Sequence, residues 1–86
     1  MTAQEKTIAL EAISRKHAET LEVIREEVSL TTGVNVIEVR ETLARLVNDR
    51  FLKECVMPAH NVAANPEPLP EITWAWYEKG ELWKDA

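Results

Sequence analysis

The side chains best suited to catalysis or metal binding are two histidines, His17 and His60, and a single cysteine, Cys55. A thiol beside an imidazole can form a nucleophile and base pair, or can supply two ligands of a zinc ion. Cys55 and His60 lie on either side of Pro58, but two ligands do not hold zinc firmly, and no motif here indicates an oxyanion site. We therefore expect no metal, no cofactor and no catalytic site, and we interpret Cys55 as a small, half-buried residue of a strand.

The composition of the chain narrows the classes of function further. The 86 residues contain no glycine-rich phosphate loop and neither a His-Glu-x-x-His nor a Gly-x-Ser-x-Gly motif. Fifteen acidic and ten basic residues give a net charge of −5, so any nucleic-acid contact must depend on a local group of cations. One cysteine agrees with a reducing compartment, and the apolar stretches are far too short to span a membrane. We therefore expect a cytoplasmic protein without a membrane contact.

Helical periodicity dominates the first part of the chain. Between Gln4 and Thr32 there is no proline or glycine, and apolar residues recur at spacings near three, four and seven. This pattern allows one continuous helix or two. We favour two, over about residues 4–17 and 20–32, because a single rod of that length would find little surface to pack against in so small a domain.

A third helix is predicted over about residues 36–49. Gly33 suits the left-handed residue that ends a helix, and Asn35 suits the cap of the next one, with Glu38 at the capping-box position. Val39, Leu43, Leu46 and Val47 keep helical spacing, and the first three are expected to be buried. Val36, in the first turn, is also expected to pack in the core.

Two segments of the second half alternate in the manner of half-buried strands, over residues 51–57 and 71–78. Pro58 is expected to end the first of them. The loop from 58 to 70 holds all four prolines of the chain and is expected to be extended and stiff.

The aromatic residues lie in the second half of the chain. Trp74 and Trp76 share one face of the second strand, and in so small a domain we expect that face to be the core. Tyr77 lies on the opposite face, and Leu82 and Trp83 follow in an otherwise charged terminal segment. These three residues are therefore predicted to make a dimer or partner contact, with Trp83 docked on the first helix of the same protomer or of a second one.

Three helices followed by two strands around an extended loop resemble the winged helix-turn-helix superfamily, and residues 24–53 carry the likeness. Thr32-Gly33-Val34 is similar to its turn, and residues 43–52 are similar to its Leu-x-x-Leu-Val-x-x-Gly-Leu-Leu passage from recognition helix to wing. Arg50 stands where that passage commonly has glycine, so we expect a different helix exit. The resemblance implies an α+β fold in one domain, a three-helix winged helix-turn-helix with a two- to three-stranded β-wing.

Winged helix-turn-helix domains read DNA with outward residues of the third helix. Carried onto this sequence, the resemblance assigns DNA contact to Asn35, Ile37, Arg40, Glu41, Ala44, Arg45 and Arg50. Arg40 is the best base or phosphate contact, because a guanidinium group can donate two parallel hydrogen bonds. The resemblance thus implies a small non-enzymatic DNA-binding protein, a transcriptional regulator that could act as a homodimer on duplex DNA.

The charges of the same helix favour an alternative. Its arginines are balanced by Glu38, Glu41 and Asp49, and the loop from 58 to 70 contains no lysine or arginine. DNA affinity arises largely from cationic phosphate contacts, of which this surface offers few. The alternative is an acidic, protein-binding winged helix that acts as an adaptor or as an inhibitor of a nucleic-acid enzyme. The sign of the charge around Arg40 distinguishes the two.

Overall fold

The computed structural model describes residues 1–15, 20–59 and 72–84, and it has an α+β architecture. Three helices precede a two-stranded antiparallel sheet, in the order α1 (Ala3–Ser14), α2 (Leu21–Thr32), α3 (Val36–Asn48), β1 (Leu52–Ala59) and β2 (Ile72–Lys79). The first helical region is therefore two helices, as predicted, although α1 ends at Ser14 and not near residue 17. None of the helices in these ranges has the length and apolar character that crossing a membrane requires.

A short polar side chain caps the start of each helix. Thr2 and Glu5 form a reciprocal capping box at α1, and the hydroxyl of Thr20 accepts a backbone hydrogen bond from the first turn of α2. At α3, Oδ1 of Asn35 accepts a hydrogen bond of 2.8 Å from the amide of Ile37. Each cap satisfies a backbone donor that the helix itself leaves unpaired, so the predicted start of α3 at Asn35 is confirmed.

The exits of α2 and α3 both use left-handed residues. Gly33 ends α2 with φ of 75°, and its amide donates to the carbonyl of Ser29. Arg50 follows α3 with φ of 65°, and the next amide, that of Phe51, donates 2.9 Å to the carbonyl of Leu46. The different exit that we expected at Arg50 is therefore wrong. The chain keeps the left-handed conformation with a non-glycine residue, at a cost of about 1–2 kcal/mol.

One face of each helix and one face of the sheet form the core. Its buried members are Ile8, Ala9, Ala12, Ile24, Val28, Val39, Leu43, Leu46, Leu52 and Tyr77. The prediction for Val39, Leu43 and Leu46 is confirmed, whereas Val36 and Val47 are only half-buried. The remaining surface of α3 is therefore available to solvent.

The structure corrects our choice of core face on the second strand. Ala75 and Tyr77 face the helices and are each 1% exposed, whereas Trp74 is 41% exposed and Trp76 is half-buried on the opposite face. Strand alternation places these two pairs on opposite faces of the sheet, but it does not decide which pair faces the core. The sheet packs on the helices with Tyr77 in the core, and the hydroxyl of Tyr77 donates a hydrogen bond to Glu54. The prediction that Tyr77 makes a dimer or partner contact is therefore wrong.

The first strand also runs further than predicted. We expected Pro58 to end it, but β1 continues to Ala59, with Pro58 opposite Thr73 in the register. Edge strands tolerate proline because one side of their backbone forms no ladder hydrogen bonds. In the described part of the chain the sheet has two strands, so each has an open edge.

Candidate functional site

The seven residues that the resemblance assigns to DNA contact are all exposed. Four of them form one stripe along α3, which we call the α3 outer face: Ile37, Arg40, Glu41 and Ala44. Their spacing of three, four and seven places them on one side of the helix, opposite the buried residues. Asn35 lies at the N-terminal end of this stripe and Arg45 beside it, while Arg50 lies beyond the C-terminal end of the helix.

Polar side chains hold the turn that places α3 against α2. The hydroxyl of Ser29 donates to the carbonyl of Val34 at 2.6 Å, and the hydroxyl of Thr32 donates to the carbonyl of Val28 at 2.7 Å. The amide of Val34 in turn donates to the hydroxyl of Thr32 at 3.3 Å. These bonds satisfy the backbone around Gly33 without using any residue of the α3 outer face.

A chain of polar contacts links the sheet to the α3 outer face. Arg40 is ion-paired with Oε1 of Glu22 on α2, and Oε2 of Glu22 lies 3.4 Å from Nη1 of Arg25. Nη2 of Arg25 lies 3.2 Å from Oε1 of Glu54 on β1, which also accepts a hydrogen bond of 3.1 Å from the hydroxyl of Tyr77 on β2. No local pattern predicted this network, because its five members come from four different elements.

Three groups in this network, Glu22, Arg25 and Tyr77, have shifted pKa values. The hydrogen bond from Arg40 lowers the pKa of the Glu22 carboxyl, so Glu22 stays ionised at neutral pH. Burial raises the pKa of Tyr77 to about 12, so the phenol stays protonated and donates its hydrogen bond to Glu54. At neutral pH Glu22 is therefore ionised and Tyr77 is neutral.

All five arginines of the chain are ion-paired with glutamates. Beyond those of the network, the pairs are Arg45 with Glu5 on α1, Arg50 with Glu81, and Arg15 with both Glu11 and Glu27. Each candidate DNA-contacting arginine thus already has a carboxylate partner within the chain.

Arg40 is ion-paired across the two helices with the carboxylate of Glu22, and Glu41 belongs to the same exposed stripe. The Arg40 and Glu22 side chains are 45% and 42% exposed, and exposed ion pairs of this kind contribute little to stability because water and salt screen them. Arg40 can therefore exchange its partner at little cost.

A second group of cations surrounds an open cavity at the base of the sheet. The cavity has a volume of about 460 Å³, and its charged lining consists of Arg50, Lys53, Lys79, Glu54 and Glu81. The sequence did not indicate this group, because only the strand register, in which Lys79 lies opposite Leu52, brings the distant Lys79 into one cavity lining with Arg50 and Lys53. The three cations outnumber the two carboxylates of this lining, so an anion would meet a small positive excess here.

The three residues that we expected to make a dimer or partner contact are separated in the structure. Tyr77 is in the core, Leu82 is exposed, and Trp83 is half-buried against the core cluster of its own chain. The terminal segment is held by the amides of Gly80 and Leu82, which donate at 2.9 Å to the carbonyls of Phe51 and Arg50. Trp83 is therefore docked in cis, and its contact with α1 in particular stays a prediction.

Within the described residues no three His, Cys, Asp or Glu side chains are grouped to hold a metal ion. Burial raises the pKa of the Cys55 thiol, and the charge of Glu78 adds to the shift, so the reactive thiolate is disfavoured. The two histidines and the proline-rich loop from 60 to 70 lie outside the described residues.

Comparison of the chain with protein-family models, with curated proteins and with solved structures finds no match. Its function therefore has to be inferred from geometry and charge. The arrangement at α3 can donate hydrogen bonds from Arg40 and Arg45, accept them at Glu41, and offer apolar contact at Ile37 and Ala44.

Proposed function

We propose that this chain is a small, non-enzymatic DNA-binding domain of the winged helix-turn-helix type, acting as a transcriptional regulator in the cytoplasm. The observation that carries the proposal is the α3 outer face, a continuous exposed stripe on a helix whose opposite face is buried. A helix with one face packed in the core and the opposite face exposed to solvent has the shape needed to enter the major groove.

The residues of this stripe suit the edges of bases and the phosphates beside them. Arg40 donates two parallel hydrogen bonds to guanine or to phosphate, and Ile37 and Ala44 contact thymine methyl groups. Asn35 uses its carbonyl oxygen as the helix cap, which leaves its amide group to donate to the DNA. Arg50 and Lys79 supply phosphate contacts at the base of the sheet.

Glu22 competes with DNA phosphate for the guanidinium group of Arg40. A phosphate must displace Glu22 from Arg40, and a charge-assisted contact with phosphate replaces an exposed pair of small value. Because few cations are available, the affinity should fall only shallowly with salt, corresponding to fewer than about four neutralised phosphates per protomer.

The test is a titration of the chain with duplex DNA of random sequence at low and at moderate salt, followed by selection of preferred sequences. Arg40→Ala should weaken binding by about 1–3 kcal/mol at one base position of the selected site. Lys84→Ala is the matched control, because it removes the same charge from an exposed position outside α3 and should change little. Equal affinities of the wild type and Arg40→Ala would contradict the proposal.

A second function is favoured by a different observation. The carboxylate of Glu22 is paired with Arg40, Glu41 belongs to the same exposed stripe, and two exposed apolar side chains, Leu30 at 85% and Ile37 at 57%, lie on α2 and α3. Acidic surfaces with exposed aliphatic groups suit a protein contact better than DNA. If the titration detects no DNA binding at low salt, we propose instead that α2 and α3 bind a protein, as an adaptor or as an inhibitor of a nucleic-acid enzyme.

A further inference from the structure

The face of the sheet that points away from the helices carries three cross-strand pairs. In the register, the residues opposite each other on this face are Lys53 and Glu78, Cys55 and Trp76, and Met57 and Trp74. We call these six residues the outer sheet face. The buried residues of the sheet, Leu52, Ala75 and Tyr77, all belong to the other face.

The outer sheet face is apolar over most of its length and partly exposed to solvent. Met57 is 57% exposed and Trp74 is 41% exposed, while Cys55 and Trp76 are half-buried. Nε1 of Trp76 donates a hydrogen bond of 3.0 Å to Glu78, which fixes the indole ring over the strand. Two tryptophans and a methionine on one exposed surface are the residue types that are enriched in the centres of protein interfaces.

We propose that the outer sheet face binds a second copy of this chain, sheet against sheet, about a two-fold axis parallel to the strands. The charges of the outer sheet face favour a second copy of the chain as the molecule bound there. The face carries one lysine and one glutamate opposite each other at the same end, so it is neutral in a chain of net charge −5. Two copies therefore meet here with less repulsion than over an acidic surface.

The same pair of charges selects the orientation of the axis. Rotation about an axis parallel to the strands stacks β1 of each copy over β2 of the other, so Lys53 of each copy lies against Glu78 of the other. The same operation places Met57 against Trp74 and Cys55 against Trp76. An axis across the strands would instead place both charges over the Met57 and Trp74 end, where they would lose solvent without gaining a partner.

This interface is separate from the α3 outer face, so a failure of DNA binding leaves it untouched. Six side chains per copy are fewer than the roughly 20–30 residues of a standard interface, so we expect a reversible dimer. It should be populated at high micromolar concentration. This dimer does not use Tyr77, Leu82 or Trp83, the residues that the sequence suggested.

Sedimentation equilibrium of the full chain tests the proposal. The wild type should show a concentration-dependent dimer, and Trp74→Glu, which places a carboxylate in the interface, should be monomeric at every concentration. Leu30→Glu is the matched control, because it adds the same charge at an exposed apolar residue of α2 and should leave the dimer unchanged. Circular dichroism melting confirms that each variant is folded.

A charge-exchange experiment separates contacts between copies from contacts within one. Lys53→Glu alone and Glu78→Lys alone each place like charges together across the axis, so each variant should be monomeric. In a mixture of the two, every pair across the axis again joins an ammonium and a carboxylate, although the pair within each copy is still disrupted. A mixed dimer, identified by a mass tag on one variant, is therefore the expected result.

The geometry also predicts the outcome of cross-linking at Cys55, the only cysteine of the chain. Strands lie about 4.8 Å apart and packed sheets about 10 Å apart, so the two Cys55 Cα atoms should be about 11 Å apart. A flexible bismaleimide should link them, whereas a disulfide, which needs Cα atoms within about 7 Å, should not form. A monomeric wild type at millimolar concentration, or a Trp74→Glu variant that dimerises as the wild type does, would overturn the proposal.

Discussion

The hydroxyl of Tyr77 on β2 donates a hydrogen bond of 3.1 Å to Glu54 on β1, the carboxylate that also pairs with Arg25 on α2. Through Glu54, the one tyrosine of the chain is therefore linked to Arg25 on α2, and the inner face of the sheet to the helices. Tyr77 is 1% exposed, so its ring is core and its hydroxyl is a buried donor with a specific acceptor. The stability of the fold should therefore depend on both parts of this side chain.

Tyr77→Phe should lower the free energy of unfolding by about 1 kcal/mol, because it removes one hydrogen bond and keeps the ring. Tyr77→Ala should lower it by about 3–5 kcal/mol, because it also removes a buried aromatic ring. Urea unfolding followed by tryptophan fluorescence measures both. A phenylalanine variant as unstable as the alanine variant would show that the hydroxyl, and not the ring, carries most of the stability.

The raised pKa of Tyr77 predicts a loss of stability in strong base. Its pKa is about 12 in the folded chain and about 10 in the unfolded chain, so the contribution is complete below pH 10 and is lost as the pH rises towards 12. Across that window the free energy of unfolding should fall by about 1.4 kcal/mol per pH unit from this group. Tyrosinate absorbance reports the titration directly, and in Tyr77→Phe this component of the pH dependence should be missing.

Glu22→Gln should raise the affinity for duplex DNA about two- to fivefold at low salt, because it removes a carboxylate close to Arg40 and frees the guanidinium group. Glu11→Gln, which removes the same charge from α1, should leave the affinity nearly unchanged. The measurement is the same DNA titration, repeated at moderate salt, where the gain should shrink. A gain of equal size in both variants would attribute the effect to net charge and not to Arg40.

Gly80→Ala should destabilise the chain by about 1–3 kcal/mol, through overpacking at a close backbone contact. A Cβ atom at residue 80 would meet the carbonyl oxygen of Arg50 and would lie 2.8 Å from the amide nitrogen of Leu52. Arg50→Gly should act in the opposite direction and stabilise by up to about 1 kcal/mol, because it relieves the left-handed conformation. Thermal melting of both variants measures the two effects, and a neutral Gly80→Ala would show that the terminal segment shifts freely.

Trp83→Ala should lower the melting temperature, because the indole packs against the core cluster of its own chain. Leu82→Ser should have little effect, since Leu82 is exposed. Deletion of residues 82–86 should lower the melting temperature at least as much as Trp83→Ala, because it removes Trp83 and also the backbone hydrogen bond from Leu82 to Arg50. An unchanged midpoint for this deletion would show that the segment contributes nothing to stability.

Local signals in the sequence determined the helices and the exposed face of α3. The cap at Asn35, the glycine at the end of α2, and the spacing of Val39, Leu43 and Leu46 depend only on a residue and its near neighbours in the chain. For this reason the sequence alone sufficed to name the residues of the α3 outer face, and the seven expected DNA contacts are indeed exposed.

Tertiary structure decided the features that join distant parts of the chain. Strand alternation places Trp74 and Tyr77 on opposite faces of the sheet but does not indicate which face is buried. Only the packing of the sheet on the helices decides that Tyr77 lies in the core. Likewise, the pairing of Arg40 with Glu22 joins residues 18 positions apart on two helices, and no periodicity within either helix specifies it. Interactions between elements depend on how those elements pack, and that packing is set by the whole chain.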